Sequence, residues 1–209
     1  ELCAKIAAVL TERFGFTDVK IINADVMKVD LRRLIEEEFQ GLEVAVCANL
    51  PYYITSPIIM MLLESRLPIE SITVMVQKEA AQRLCAKVGT RESGAITVGV
   101  NYYGTVKNLF GVSRGSFMPA PNVDSAVIRI DLNGEHRLDE ESERFFFRVV
   151  KAGFSQRRKT LANSLASVMG IPKDRVYSAL TGLGLPEAAR IEQLDMEQLI
   201  ALSAELMKG

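Results

Sequence analysis

The stretch VAVCANLPYYITSP, residues 44–57, decides the fold. Val44–Ala48 is a continuous apolar run, the pattern of a strand buried on both faces of a parallel sheet. It runs straight into Asn49-Leu50-Pro51-Tyr52-Tyr53, and a helix is predicted next, with Ser56 as N-cap and Pro57 at its first position. Ile69–Gln77 reads as another strand and Lys78–Lys87 as another helix. On the N-terminal side, Leu2, Ile6, Val9, Leu10 and Phe14 recur at helical spacing until Gly15 stops the run. Val19–Asn23 is a short β-branched strand ending at Ala24-Asp25, and Leu31–Phe39 is a helix with Asp30 as N-cap and Gly41 as terminator. Strands alternating with helices imply βαβ units, a parallel sheet and the α/β class.

Working outward, Val106–Ser113 and Val123–Leu132 are two strands joined by a Pro-rich loop. In the second, Ala126, Ile128, Ile130 and Leu132 share one face while Arg129 and Asp131 share the other, which suits a half-exposed antiparallel strand near the sheet edge. Gly94–Gly104 (GAITVGVNYYG) leans towards strand on its β-branched content. The composition shifts at Asn133-Gly134-Glu135-His136. Beyond it only helical patterns follow: Glu141–Phe154, Thr160–Met169, Lys173–Leu180 and Asp195–Met207. The expected organisation is a sheet domain over residues 1–135 and a small all-helical domain over 136–209, with His136 in the linker.

Composition narrows the function classes. The 209 residues are 48% hydrophobic and 24% charged, a globular balance that argues against disorder. The longest apolar run, Pro57–Leu63, is far too short to span a membrane. Three cysteines never form a CxxC pair, which argues against a disulfide framework or structural zinc. A single histidine makes a Ser-His-Asp triad a poor expectation, and no metal site is expected. The net charge of −1 hides an uneven distribution. Between Arg144 and Arg175, eight cations (Arg144, Arg148, Lys151, Arg157, Arg158, Lys159, Lys173, Arg175) face Asp174 alone. A basic surface of that size suits a phosphate backbone, although a solvated helix face has the same composition.

The chemistry-bearing segment is Asn49-Leu50-Pro51-Tyr52. A strand that ends in a polar residue at the carboxyl edge of an α/β sheet lies where ligands bind. The Asn49 side-chain carbonyl and the Leu50 backbone carbonyl can accept the two hydrogens of an exocyclic amino group on a flat base. Pro51 stiffens the turn and Tyr52 offers a stacking face. Two such acceptors favour a pyramidal nitrogen with a freer lone pair, and their benefit grows as positive charge develops there. An ordinary turn after a strand would use the same four residues. The segment Phe117-Met118-Pro119-Ala120-Pro121-Asn122-Val123-Asp124-Ser125 could bring a second aromatic, Phe117, over the base, or serve as a rigid connector. Asp25, an acceptor at a strand end, is by itself as well explained as a cap.

Taken together, NLPYYITSPI (49–58), FMPAPNVDSAVIRI (117–130) and VVKAGFSQRRKTLANSL (149–165) resemble the ribosomal RNA adenine N6,N6-dimethyltransferases. The similarity runs from Glu1 to about Gly209 in order and spacing. Val123–Val127 and Gly153–Lys159 look more like the housekeeping 16S branch than like the 23S antibiotic-resistance branch. The resemblance implies a Rossmann-like methyltransferase sheet with a small C-terminal helical domain, and it implies a helix at Gly94–Gly104 against the propensity. It implies S-adenosylmethionine as cofactor and 16S rRNA in an immature small subunit as partner, in a monomeric cytoplasmic enzyme. Asn49, Leu50, Pro51 and Tyr52 match the catalytic motif and Phe117 the second base-stacking aromatic. Asp25 matches the acid that holds the cofactor's adenine amino group, with Asn49 also beside the cofactor. Arg114, Lys151, Arg157, Arg158 and Lys159 are the expected RNA contacts. Nothing here matches the family's Gly-rich cofactor loop or its ribose-holding acid, so the sheet is expected to be incomplete at its N-terminal side. The alternatives are a non-catalytic RNA-binding or ribosome-assembly fragment, a 23S rRNA adenine methyltransferase, and a DNA adenine methyltransferase, which would prefer Asp at position 49.

Overall fold

The computed structural model describes residues 2–134 and 137–208, so the linker residue His136 lies outside the described residues. The chain divides into two compact units, Glu1–Gly41 and Leu42–Gly209.

The first unit holds two helices, α1 (Leu2–Phe14) and α2 (Leu31–Glu38). The Asp30 side chain accepts the Arg33 N–H at 3.0 Å and caps α2, as its position before the apolar-periodic run predicts. Lys20 and Glu38 form an ion pair. Val19–Asn23 is not a strand; these residues are irregular. A strand exists only through a ladder with a neighbour, and no described residue pairs with them. The apolar stripe of α1 is solvent-facing, with Ile6, Val9, Leu10 and Phe14 all exposed.

The second unit is built on a four-stranded mixed sheet in the order β1-β2-β4-β3. Here β1 is Ala45–Asn49, β2 Ser71–Gln77, β3 Gly104–Val112 and β4 Ser125–Leu132. Helix α3 (Thr55–Glu64) is the crossover between the parallel β1 and β2, the expected βαβ unit. It starts at Thr55 with Ile54 as N-cap, not at Pro57 behind Ser56. The reason is local: the 3-10 turn Tyr52–Ile54 feeds directly into the helix. The Pro51 carbonyl accepts both the Ile54 N–H and the Thr55 hydroxyl at 3.1 Å. Pro57 still falls in the first turn, where its missing N–H has no partner to lose.

The β3–β4 pair is antiparallel, as expected, but β4 lies inside the sheet between β2 and β3, and β3 forms the edge. Ala126, Ile128 and Ile130 are buried while Arg129 is exposed, so the alternation is realised. β1 departs from expectation. It is the opposite edge strand, and its residues alternate between exposed and half-buried because only β2 pairs with it.

The segment that leaned towards strand is helix α5 (Ala95–Tyr103), following α4 (Lys78–Leu84). Thr97 explains how a β-rich sequence starts a helix. Its hydroxyl accepts the Gly94 N–H at 2.9 Å and donates to the Arg83 carbonyl at 2.6 Å, tying the α5 start to the α4 end. Val98, Val100 and Tyr102 are then fully buried. Gly99 lets α3 approach so closely that a Cβ there would meet the Met60 sulfur at 2.7 Å. Burial on all sides overrides propensity.

After Asn133 come α6 (Glu140–Ser155), α7 (Leu161–Met169), α8 (Lys173–Gly182) and α9 (Met196–Met207). They pack around Phe146, Leu161, Leu165, Leu180, Leu194 and Leu199, all essentially inaccessible to solvent. An aromatic cluster of Tyr102, Tyr103, Phe146 and Phe147 joins α5 to α6, with ring centroids 4.9–5.6 Å apart. At its centre the buried Glu143 carboxylate accepts the Tyr102 hydroxyl at 3.1 Å and the Tyr103 hydroxyl at 2.9 Å. Arg66 lies 3.5 Å from the same carboxylate. Among the described residues no helix is long and apolar enough to cross a membrane.

Candidate active site

One edge of the sheet collects the carboxyl ends of β1, β2 and β3 and the start of β4. The register requires this: Asn49 sits beside Met75, Gln77 faces Ser125, and Val112 faces Ser125. The turn after β1 and the long loop between β3 and β4 must therefore emerge on the same side. Their residues form a cleft of about 320 Å³, lined by Asn49, Leu50, Pro51, Tyr52, Phe117, Pro119 and Pro121. That is near the lower end of the size of small-molecule sites. All five residues expected to act on the reacting base line it.

Each is placed by a local cause. Asn49 is the last residue of β1 and is exposed. Leu50 is buried and anchors the turn, which fixes the backbone carrying its carbonyl. Pro51 (φ −59°) leads into the 3-10 turn that presents Tyr52. The half-buried Tyr52 ring is tethered, since its hydroxyl lies 2.7 Å from the Ser125 hydroxyl. Phe117 is half-buried and follows the 3-10 turn Arg114–Ser116, capped by Ser113, whose hydroxyl accepts the Gly115 N–H at 3.3 Å. The Met118–Pro119 bond is cis.

Asp124 staples this loop to the sheet. Its carboxylate accepts the Arg114 N–H at 3.0 Å and its carbonyl accepts the Lys78 N–H at 3.0 Å. Sequence reasoning quoted Asp124 and Ser125 inside a motif but assigned them no task. For Asp124 the signal was adjacency to the first residue of a strand, where a short polar side chain reaches back into the preceding loop.

The other expected site residues lie elsewhere. Asp25 belongs to the first unit, where it caps the 3-10 turn Val26–Lys28 by accepting the Met27 N–H at 3.0 Å. Its side chain is about half exposed, at 52%, and its second oxygen is 4.0 Å from the Lys28 ammonium. Arg114 lines a separate polar cleft with Lys78, Gln82 and Asn122. Lys151 is exposed on α6. Arg157, Arg158 and Lys159 are exposed and form the turn between α6 and α7, just before the N-cap Thr160. Within that turn Arg157 is fixed, donating to the Arg91 carbonyl at 2.6 Å with its guanidinium 5.9 Å from the Phe154 ring centroid. Arg158 and Lys159 make no ion pair among the described residues.

Comparison with known proteins gives a consistent picture. A family model described as "Ribosomal RNA adenine dimethylase" matches residues 1–208. A ribosomal RNA small subunit methyltransferase A from Geobacillus sp. (strain WCH70) is 45% identical over 197 residues, covering 91% of this chain and 67% of that protein. The protein of the same description from Geobacillus thermodenitrificans (strain NG80-2) is 44% identical, covering 99% of this chain and 72% of its own length. That from Bacillus mycoides (strain KBAB4) is 42% identical, covering 99% and 73%. Among solved structures, a dimethyladenosine transferase from Plasmodium falciparum shares the fold at a TM-score of 0.72 and 22% identity, covering 95% of this chain and 77% of that one. The 23S rRNA methyltransferase ErmE superposes at a TM-score of 0.64 with 25% identity, covering 98% of this chain and 79% of that one.

Proposed function

The chain belongs to the ribosomal RNA adenine dimethylase family, and we propose that it serves the 16S branch. It methylates N6 of two adjacent adenosines of small-subunit rRNA, twice each, with S-adenosylmethionine as donor. The observation that carries this reading is the gathering of Asn49, Leu50, Pro51, Tyr52 and Phe117 around one cleft at the carboxyl end of β1. Relatives at 42–45% identity carry the small-subunit name, which favours 16S over 23S rRNA.

Asp25 and Asn49 each carry polar groups that suit the donor's chemistry. The Asp25 carboxylate uses one oxygen for its own turn and keeps the other on an exposed side, able to accept from an adenine amino group. Asn49 is exposed at the strand end, with both its amide groups available for polar contacts. When bound, S-adenosylmethionine would supply an electrophilic methyl on a sulfonium centre, and the S–CH3 bond given up would leave a neutral thioether.

The protein's part is to present the nucleophile. The target adenine leaves its stack in the RNA loop and enters between Tyr52 and Phe117, which replace the lost stacking. Asn49 Oδ1 and the Leu50 carbonyl accept the two N6 hydrogens, so the nitrogen lone pair turns out of conjugation. As the new C–N bond forms, N6 becomes cationic and both acceptors bind it more strongly, which lowers the barrier. The cationic amine then gives a proton to solvent, and the methylated nitrogen can react again. Arg114, Lys151, Arg157, Arg158 and Lys159 hold the RNA through its phosphates. In this reading residues 1–135 form the methyltransferase part and 136–209 the RNA-binding part. The substrate is the immature small subunit and the enzyme works as a cytoplasmic monomer.

The test is transfer of labelled methyl to immature small subunits, to 23S rRNA and to duplex DNA, with N6,N6-dimethyladenosine identified by mass. Asn49→Ala should lower the rate by about 10²–10³-fold while leaving RNA affinity nearly intact. Labelling confined to 23S rRNA or DNA, or an Asn49→Ala rate within tenfold of the parent, would overturn the reading.

A further inference from the structure

We propose that Ser125 is a positioning residue for methyl transfer, whose buried hydroxyl holds the Tyr52 ring in place at the wall of the cleft against the target base. The proposal rests on reading the cleft as the adenine pocket.

Ser125 lies 73 positions from Tyr52 in sequence, yet their hydroxyls are 2.7 Å apart. Its own position is rigid, because it is 1% exposed and its backbone is paired on both sides, to Gln77 of β2 and Val112 of β3. Tyr52 has no such support from its own segment. It opens a three-residue 3-10 turn at the sheet edge, and rotation about χ1 would swing the ring across the cleft. The hydrogen bond removes that freedom.

The tether also couples the two aromatics. The loop bearing Phe117 leaves the sheet after Val112 and returns at Asp124, one residue before Ser125. Asp124 clamps that loop through the Arg114 N–H while Ser125 clamps Tyr52. Adjacent side chains at the start of β4 therefore set both walls of the cleft. Stacking holds a base only when the faces are parallel and correctly spaced, so fixing the walls in advance spares the base from ordering them. Ser125 does not line the cleft, so its effect must pass through Tyr52.

The experiment compares Tyr52→Phe, Ser125→Ala and their double variant, in the protein as its gene encodes it, for steady-state methyl transfer. A 2-aminopurine at the target position serves as a stacking probe. Loss of one neutral hydrogen bond should lower kcat about 3- to 10-fold in each single variant. KM for RNA should stay within about twofold, since phosphate contacts dominate affinity. The double variant should be no slower than the slower single one, because both changes remove the same bond. Quenching of 2-aminopurine should weaken alike in all three. Full kcat in Tyr52→Phe, or losses that multiply in the double variant, would overturn the proposal. If Ser125→Ala does not fold, Tyr52→Phe alone decides. Tyr52→Ala and Asn49→Ala run alongside. Parental activity in both would sink the reading of the cleft itself, whereas their loss beside a fully active Tyr52→Phe would sink only the tether.

Discussion

Glu143→Ala should loosen the junction between the sheet and the helices that follow it, and its cost can be worked from the contacts. The carboxylate is buried and accepts two phenol hydrogens, at 3.1 Å from Tyr102 and 2.9 Å from Tyr103. Tyr102 is 1% exposed, so its hydroxyl has no water to turn to, and Tyr103 at 8% has little. A hydrogen bond to a charged acceptor contributes about 1.5–3 kcal/mol, so two at the lower end give about 3 kcal/mol. The Arg66 contact is longer, at 3.5 Å, and its side chain is 35% exposed, so it adds little. Relief of burying a charge offsets part of the loss, leaving roughly 2–3 kcal/mol. For a unit of this size that is about 4–12 °C in melting temperature. Thermal and urea unfolding of the parent, Glu143→Ala, and the triple variant Glu143→Leu, Tyr102→Phe, Tyr103→Phe would measure it. The triple variant should recover much of the loss, since removing all partners leaves no orphaned hydroxyl. A Glu143→Ala protein within about 0.5 kcal/mol of the parent, the ordinary scatter of surface substitutions, would refute the reasoning.

Burial first, then the neighbouring Glu143 carboxylate, pushes the phenol of Tyr102 up, and burial leads again at Tyr103. Both phenols therefore hold their protons better folded than unfolded. Their contribution is complete below the unfolded value of about 10 and is lost as pH rises beyond it. Urea midpoints should fall between pH 9 and 11, and Tyr102→Phe with Tyr103→Phe should flatten that slope; an unchanged slope would argue against the assignment. Gly153→Ala should destabilise by about 1–3 kcal/mol, because the added Cβ would lie 2.3 Å from Ile191 Cδ1 in the packing of α6 against the 3-10 turn Ile191–Gln193; unaltered unfolding would contradict this. Replacing Arg158 and Lys159 by Ala should weaken RNA binding uniformly across sequences and reduce the salt slope of log K by about 1–2. An unaltered slope would remove this turn from the RNA interface.

Much of the fold was legible because its causes are local. The run Val44–Ala48 ending in a polar residue and Pro marks a strand and its exit, and α3 and β2 follow in order. The Asp30 cap and the alternation of Ala126, Ile128 and Ile130 need only near neighbours to be read. The place of the Asn49–Tyr52 segment was legible for the same reason, since these four consecutive residues line one side of the cleft. Tertiary structure alone decided the rest. Ala95–Tyr103 is a helix despite its β-branched residues because Thr97 ties it to α4 and neighbours bury it on every side. Val19–Asn23 has strand propensity but no ladder, and a strand's hydrogen bonds belong to a partner that the segment cannot itself supply. The Ser125 tether, the Asp124 staple and the Glu143 junction join residues 10 to 73 positions apart; the first two depend on the sheet register and the third on the packing of α5 against α6. A composition or a spacing records which groups a chain owns; only the folded register determines which of them meet.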